Sequence, residues 1–158
     1  DTLSAKDVMT PRTVMVMAEE SQSLQAYYEH SQPMIFSRIP LYRENRDAVT
    51  GILLKDDLLQ QIIEGRAEEP LRNIKREATL IPEDTPLRQA FELLHENRVH
   101  LAIVVDTYGG TLGLLTLEDI IETLFGLEIM DETDAVSDLQ KYARQKWEER
   151  ARKIGLIE

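Results

Sequence analysis

Two residues that could do chemistry, Thr116 and Asp119, lie where a predicted strand meets a predicted helix. The sequence GLLTLED at 113–119 is apolar up to Leu115, and apolar residues then recur at helical spacing from Ile120. One interpretation is a capping box, because a hydroxyl at a helix start accepts a backbone N–H and a nearby carboxylate suits the helix dipole. The other is a ligand site, in which the hydroxyl and free amides face a phosphate and the carboxylate accepts hydrogen bonds from a sugar.

The same pattern occurs twice in the chain. GILLKDDLL at 51–59 aligns with GLLTLEDII at 113–121, so that Gly51 matches Gly113 and Asp57 matches Asp119. SRIPLY at 37–42 aligns with VHLAIV at 99–104 at the same spacing. A repeat of this length is typical of a duplicated supersecondary unit. We therefore expect one body with an internal pseudo-twofold axis.

The composition excludes several classes of protein. A formal net charge of −11 argues against binding to nucleic acid or to an anionic membrane surface, which both require clustered Lys and Arg. The absence of cysteine excludes disulfides and thiolate metal sites. No apolar run approaches the roughly 20 residues of a membrane helix. Residues 1–6, DTLSAK, do not resemble a signal peptide, and we expect the chain to be a piece of a longer protein.

Each half is predicted to fold as strand, helix, strand, strand, helix, which is an α+β arrangement. In the first half the short strand is predicted at 13–17, a helix follows a cap at Ser21 or Ser23, and the closing helix spans 56–64. The charged stretch at 66–76 contains Leu71, so we expect it to pack against the body.

The duplicated motifs resemble a pair of cystathionine-β-synthase-type (CBS) domains, the Bateman module. MTPR at 9–12, SRIPLY at 37–42, HLAIV at 100–104 and GLLTLED at 113–119, running on to DETD at 131–134, are similar in particular to the CBS pair of the CorC/CNNM family. That family is associated with magnesium and cobalt transport and includes hemolysin-like proteins. The resemblance implies a CBS unit at 7–65, a linker at 66–77, a second CBS unit at 78–130 and a C-terminal helical extension at 131–158.

The resemblance also implies a ligand. In this family the module lies in the cytoplasm below a membrane domain, dimerises into a disc, and binds an adenosine nucleotide (AMP, ADP or ATP), often with Mg²⁺, between its two units. Asp119 would hold the ribose hydroxyls, and Thr116 with the helix amides would meet the phosphates. The remaining implied nucleotide-binding residues are Thr13, Ala18, Phe36, Ser37, Arg38 and Leu114. Phe36 and Leu114 could equally be core residues, and Arg38 an ordinary surface cation.

The pseudo-symmetric cleft would use Asp57, but Leu54 replaces Thr116 there, so the hydroxyl for the phosphate is missing. Arg76 and Ala78 stand near the position equivalent to Thr13, another departure from the pattern. We expect one competent site and one weak or vacant site.

Neither catalysis nor a protein-held metal is predicted. His30, His95 and His100 are too scattered for a zinc site, and no nucleophile with a neighbouring base accompanies the adjacent acids of 56–57 and 118–119. The acidic residues at 68–69, 83–84 and 131–134 are interpreted as solvated faces or helix starts, with an Mg²⁺-sensing surface as the alternative.

A long amphipathic helix is predicted at 136–153, with an apolar stripe formed by Leu139, Ala143, Trp147 and Ala151. Its stripe needs cover from the body, a second protomer or an absent domain. The sequence thus predicts a nucleotide-binding regulatory module attached to a membrane transport domain. The alternatives are a dimerisation scaffold without ligand and an enzyme acting on nucleotides.

Overall fold

The computed structural model describes residues 3–130 and 135–155, so DETD at 131–134 lies outside the described residues. The helices are α1 (Ala5–Val8), α2 (Leu24–His30), α3 (Lys55–Ile63), α4 (Leu87–Glu96), α5 (Leu117–Met130) and α6 (Ala135–Lys153). The strands are β1 (Thr10–Pro11), β2 (Ala18–Glu19), β3 (Arg38–Arg43), β4 (Asn45–Leu54), β5 (Thr79–Pro82), β6 (Leu101–Val105) and β7 (Thr111–Thr116). The predicted α+β class and the C-terminal helix are confirmed.

The first half is built on a three-stranded sheet with the order β2-β3-β4. Strand β2 is parallel to β3, and β4 returns antiparallel to β3. Ser23 is the cap of α2, because its Oγ accepts the N–H of Ala26 at 3.1 Å. Leu71, in a 3-10 turn of the linker, is fully buried in this half's core, so the linker packs against the body as expected.

The second half is built on a four-stranded sheet with the order β1-β7-β6-β5. Its edge strand β1 comes from the start of the chain and pairs antiparallel with β7. Ala5 is buried in this half's core, and the N–H of Leu87 donates to the carbonyl of Leu3 at 3.0 Å. The first residues of the chain therefore complete the second half and not the first.

The strand predicted at 13–17 is wrong. Residues Arg12–Val14 form a 3-10 turn, and the short strand is Ala18–Glu19. The reason is the position of β1 in the other sheet, which obliges residues 12–17 to cross from the second half to the first. Met15 is buried on this crossing segment while its neighbours Val14 and Val16 are exposed, and this alternation produced the strand-like pattern.

The two halves share an apolar interface. Met15, Ile52, Leu101 and Ile103 form its buried centre. The hydroxyl of Thr111, itself buried, accepts the N–H of Val49 at 3.0 Å, which joins β7 to β4. Because both sheets contribute to one buried cluster, the two halves pack directly against each other.

Two aligned glycines allow a second backbone to approach each sheet. A Cβ placed on Gly113 would lie 2.3 Å from the carbonyl oxygen of Thr10 in β1. A Cβ on Gly51 would lie 2.9 Å from the carbonyl oxygen of Arg76 in the linker. Both contacts are below any allowed separation, so the repeated glycine is needed for close packing of backbone on backbone.

Helix α6 packs on α5 through two ion pairs and an aromatic contact. Glu122 of α5 pairs with Lys146 at 3.4 Å and with Arg150 at 2.7 Å, and the ring of Tyr142 lies 5.0 Å from that of Phe125. Trp147 remains 60% exposed. The predicted stripe is therefore covered only in part, and the side chain of Leu139 lies outside the described residues.

Among the described residues no helix combines the length and the apolar character needed to cross a membrane.

A buried carboxylate fastens the linker to the first half. Glu20, which follows β2, is 1% exposed and accepts hydrogen bonds from Lys75 of the linker at 2.8 Å, from Arg43 at 3.1 Å and from the hydroxyl of Thr50. These bonds, that of Lys75 first and that of Thr50 second, lower the pKa of Glu20 to about 2. The buried charge of Glu20 is thus balanced by two cations and one hydroxyl donor.

We predict that Gly113→Ala destabilises the protein by about 1–3 kcal/mol, because the new methyl group displaces the backbone of β1 from β7. Urea denaturation measures the change. Gly126→Ala is the matched control: nothing lies within 4 Å of a Cβ there, and this helical position should gain stability. An unchanged midpoint for Gly113→Ala would contradict the close approach.

We predict that Glu20→Gln lowers the free energy of unfolding at pH 7 by about 3 kcal/mol, because Lys75 loses its charged partner. The folded-state pKa of Glu20 is depressed, so its contribution is full above the ordinary value of 4.5 and is lost as the pH falls toward 2. Denaturation of parent and variant at several pH values should therefore show a gap that closes below about pH 4. The exposed Glu68→Gln is the control, and a gap that widens in acid would refute the assignment.

Candidate functional site

A cleft of about 450 Å³ opens between the two halves at the start of α5. Three parts of the chain line it: the crossing segment of residues 12–17 with the adjacent end of β1, the residues that lead into β3, and the β6–β7–α5 region. The lining residues are Thr10, Val14, Met15, Val16, Ile35, Phe36, Ser37, Arg38, Pro40, His100, Leu101, Leu114, Thr116, Glu118 and Asp119. The cleft therefore exists only because both halves are present.

The start of α5 forms one wall and carries a free carboxylate. The hydroxyl of Thr116 accepts the N–H of Asp119 at 3.1 Å, and the carbonyl of His100 accepts the N–H of Leu117 at 2.9 Å. Thr116 thus caps α5, as the capping-box interpretation predicts. Within residues 3–130 and 135–155, the carboxylate of Asp119 has no hydrogen-bond or ion-pair partner, so the reciprocal half of a capping box is missing.

The first half contributes a cation to the same cleft. Arg38, at the start of β3, lines the same cleft, and its guanidinium likewise has no partner in the part of the chain that the structure describes. An unpaired guanidinium presents a fork of N–H donors suited to phosphate oxygens, and an unpaired carboxylate presents acceptors suited to hydroxyl groups. The two charges therefore offer complementary contacts to one polar ligand.

An apolar wall adjoins these charges. Val14 and Val16 of the crossing segment, with Ile35 and Phe36 before β3, are large side chains that line the cleft and remain exposed. Phe36 is 50% exposed, so it is a wall residue and not a core residue. A cluster of exposed apolar side chains around a concave site is typical of a surface that covers a flat, poorly hydrated ligand group.

The structure brings six of the eight predicted site residues to this cleft: Phe36, Ser37, Arg38, Leu114, Thr116 and Asp119. The other two lie elsewhere. Thr13 is exposed in the 3-10 turn and does not line the cleft, and Ala18 is buried in the core of the first half, where it pairs with Leu41. Both residues were predicted at the edges of a strand at 13–17. That strand does not form, because the segment crosses between the two sheets.

Sequence reasoning missed several lining residues. His100 and Glu118 flank the polar wall, and Thr10, Val14 and Val16 belong to the N-terminal side of the cleft. Glu118 could have been found from its place beside Asp119. The N-terminal residues could not, because their role depends on β1 joining the sheet of the second half.

The pseudo-symmetric position at the start of α3, where the second cleft is expected, differs in its charges. Arg76 of the linker makes a two-point ion pair with Asp57, with Nε–Oδ2 at 2.9 Å and Nη2–Oδ1 at 3.1 Å. Leu54 stands at the position of Thr116, and α3 has no side-chain cap. Arg76 faces Ile52 across the sheet as Thr10 faces Leu114. It is therefore the equivalent of Thr10, and the expectation that it stands near the position of Thr13 is corrected.

Comparison with known proteins identifies the family. The CBS domain family matches residues 71–126. A solved CBS domain of the bacterial CNNM/CorC family Mg²⁺ transporter, in complex with ATP, is 35% identical with a TM-score of 0.72, over 78% of this chain and 87% of that one. The chain belongs to the CBS domains of the CNNM/CorC family.

Two further relatives bear on the cleft. A CBS-domain pair from Klebsiella pneumoniae with bound AMP is 28% identical with a TM-score of 0.69, over 78% of this chain and 98% of that one. The magnesium and cobalt efflux protein CorC of Vibrio cholerae is 36% identical over 90% of this chain and 48% of its own length. The CBS chain thus spans about half the length of this curated relative. The relatives are CBS domains and efflux proteins, and the matches indicate no catalytic family.

We predict that Thr116→Ala costs about 1 kcal/mol of stability, because the N–H of Asp119 loses its acceptor. Thr116→Ser should keep most of that stability. Chemical denaturation measures both variants, with the exposed turn residue Thr107→Ala as the control. Equal stability of Thr116→Ala and the parent would show that the cap contributes nothing.

Proposed function

We propose that this CBS pair is a regulatory module that binds one adenosine nucleotide (AMP, ADP or ATP) in the cleft between its halves. The observation that carries the proposal is that one cleft is lined by the carboxylate of Asp119, the guanidinium of Arg38 and an exposed apolar wall, and that neither charged group has a partner among the described residues. A ribose diol, a phosphate and an adenine ring match these three features in kind. Relatives solved with ATP and AMP support the choice of ligand.

Each part of the nucleotide has a proposed partner. The carboxylate of Asp119 accepts hydrogen bonds from the ribose hydroxyls. Arg38, Thr116 and the positive end of α5 bind the phosphates. The apolar side chains around Phe36 cover the base, with Leu114 on the floor of the cleft.

Mg²⁺ would enter with the phosphates. No group of three or more His, Asp or Glu side chains that could hold a metal occurs in the described ranges. Phosphate oxygens would then supply the ligands that Mg²⁺ prefers, and Glu118, which also lines the cleft, offers a further carboxylate.

The ligand regulates by joining the two halves. A nucleotide that contacts both Arg38 of the first half and Asp119 of the second favours the arrangement in which these walls face each other, in proportion to its differential affinity for it. We infer that this equilibrium controls an attached membrane domain that transports divalent cations, magnesium or cobalt, because related efflux proteins are about twice as long. The module would lie at the cytoplasmic face of the membrane as a homodimeric disc.

A constitutive dimerisation scaffold is the second candidate. The cap that Thr116 provides to Asp119 favours it, since it gives the hydroxyl a purely structural role. It leaves the free carboxylate and the exposed apolar wall without a purpose. An enzyme acting on nucleotides would need a nucleophile with a neighbouring base. Ser37 and His100 both line the cleft, but no hydrogen bond joins them among the described residues, which disfavours this candidate.

Calorimetric titration with AMP, ADP and ATP, with and without Mg²⁺, tests the proposal. We predict that Asp119→Ala weakens binding by about 10- to 100-fold, because charged hydrogen bonds to the ribose are lost. The exposed Asp84→Ala is the matched control and should bind as the parent does.

The 2′-deoxy nucleotide gives a sharper test of the contact. It should bind the parent more weakly than the ribonucleotide does, and the two should bind Asp119→Ala equally. An absence of heat with every nucleotide would remove the sensor and leave the scaffold. A product formed from ATP would instead favour the enzyme.

A further inference from the structure

The second cleft differs from the first in the segment that approaches its sheet. In the first cleft Thr10 of β1 lies opposite Leu114 of β7. In the second, Arg76 of the linker lies opposite Ile52 of β4, with both backbone hydrogen bonds at 2.8 Å. The glycine that permits each approach is repeated, as Gly113 and Gly51. The two positions therefore share this backbone pairing, and they differ in the side chain that the approaching segment carries.

That difference decides the state of the acidic residue. Thr10 carries no charge, and no partner of the Asp119 carboxylate occurs in the part of the chain that the structure describes. Arg76 reaches Asp57 with two parallel hydrogen bonds at 2.9 and 3.1 Å, the geometry in which guanidinium and carboxylate bind most strongly. The hydrogen bond to Asp57 also raises the pKa of Arg76, whose guanidinium is in any case charged at neutral pH. A ribose would have to displace this pair before Asp57 could accept its hydroxyl groups.

The missing hydroxyl at Leu54 is a smaller obstacle. The N–H of Lys55 donates to the carbonyl of Ser37 at 2.9 Å, as the N–H of Leu117 donates to that of His100, so α3 starts in the same way as α5. Leu54 provides no side-chain cap, which leaves the amides of the first turn of α3 available to an anion. The substitution removes one hydroxyl contact and retains the helix end.

We propose that Arg76, and not Leu54, restricts the chain to one nucleotide, because its guanidinium occupies the carboxylate that the second cleft would offer to a ribose. This inference rests on the proposed function of the first cleft. The linker keeps Arg76 in place, since the preceding Lys75 is bound to the buried Glu20. The ion pair between Arg76 and Asp57 thus makes the two halves of the duplicated fold unequal in nucleotide binding.

The number of AMP molecules bound per chain, measured by calorimetry, tests the inference. We expect one for the parent, two for Arg76→Ala and for Arg76→Met, and one for Leu54→Thr. Arg76→Met retains the aliphatic stem, so it guards against a loss of packing in the alanine variant. Arg72→Ala, a neighbouring exposed linker cation, is the matched control and should bind one.

The same variants in the Asp119→Ala background separate the two clefts. There the first cleft binds AMP more weakly, and adding Arg76→Ala should improve AMP binding at least 10-fold. A further Asp57→Ala change should abolish that gain. One AMP per chain in the parent and in both folded Arg76 variants would overturn the inference and leave the proposed function intact. Two AMP molecules in Leu54→Thr alone would also overturn it, whereas a parent that binds none would refute the proposed function and this inference with it.

Discussion

The close approach of the N-terminal backbone to β7 is the constraint on which the rest of the structure depends. With β1 in the sheet of the second half, the chain must pass between the two sheets before it can build the first half. That passage places Met15 in the shared core and Val14 and Val16 along the cleft. The approach is possible because Gly113 has no side chain. One glycine thus connects local backbone geometry to the existence of a site between the halves.

The linker repeats this device in the first half, where Arg76 pairs with Ile52 beside Gly51. In both halves, therefore, a segment from outside the half pairs with one strand of its sheet. The duplication does not extend to the charges. Thr10 is neutral, and Asp119 has no partner among the described residues, whereas the cationic Arg76 neutralises Asp57. The halves thus differ at side chains whose backbone positions are the same.

Much of the fold could be predicted from the sequence because the strong signals were local. The alternating and helical apolar patterns gave the hairpin strands and the closing helices, and the aligned glycines and acids gave the duplication. Thr116 and Asp119 followed from their types and spacing, and four further residues of the cleft followed from the resemblance of these motifs to a known family. Thr13 and Ala18 did not, because their positions depend on which sheet β1 joins, and no local pattern encodes that pairing. The ion pair between Arg76 and Asp57 was hidden for the same reason, since it joins a linker residue to a helix start through a sheet contact.

The most direct measurement is a crystal structure of the chain grown with saturating ATP and Mg²⁺. We expect one nucleotide per chain, with ribose hydroxyls within hydrogen-bond distance of the carboxylate of Asp119, phosphates near Arg38 and the start of α5, and the ion pair of Arg76 with Asp57 intact. A cleft closed by the protein's own side chains at saturating ligand, or a nucleotide bound away from Asp119, would contradict this expectation.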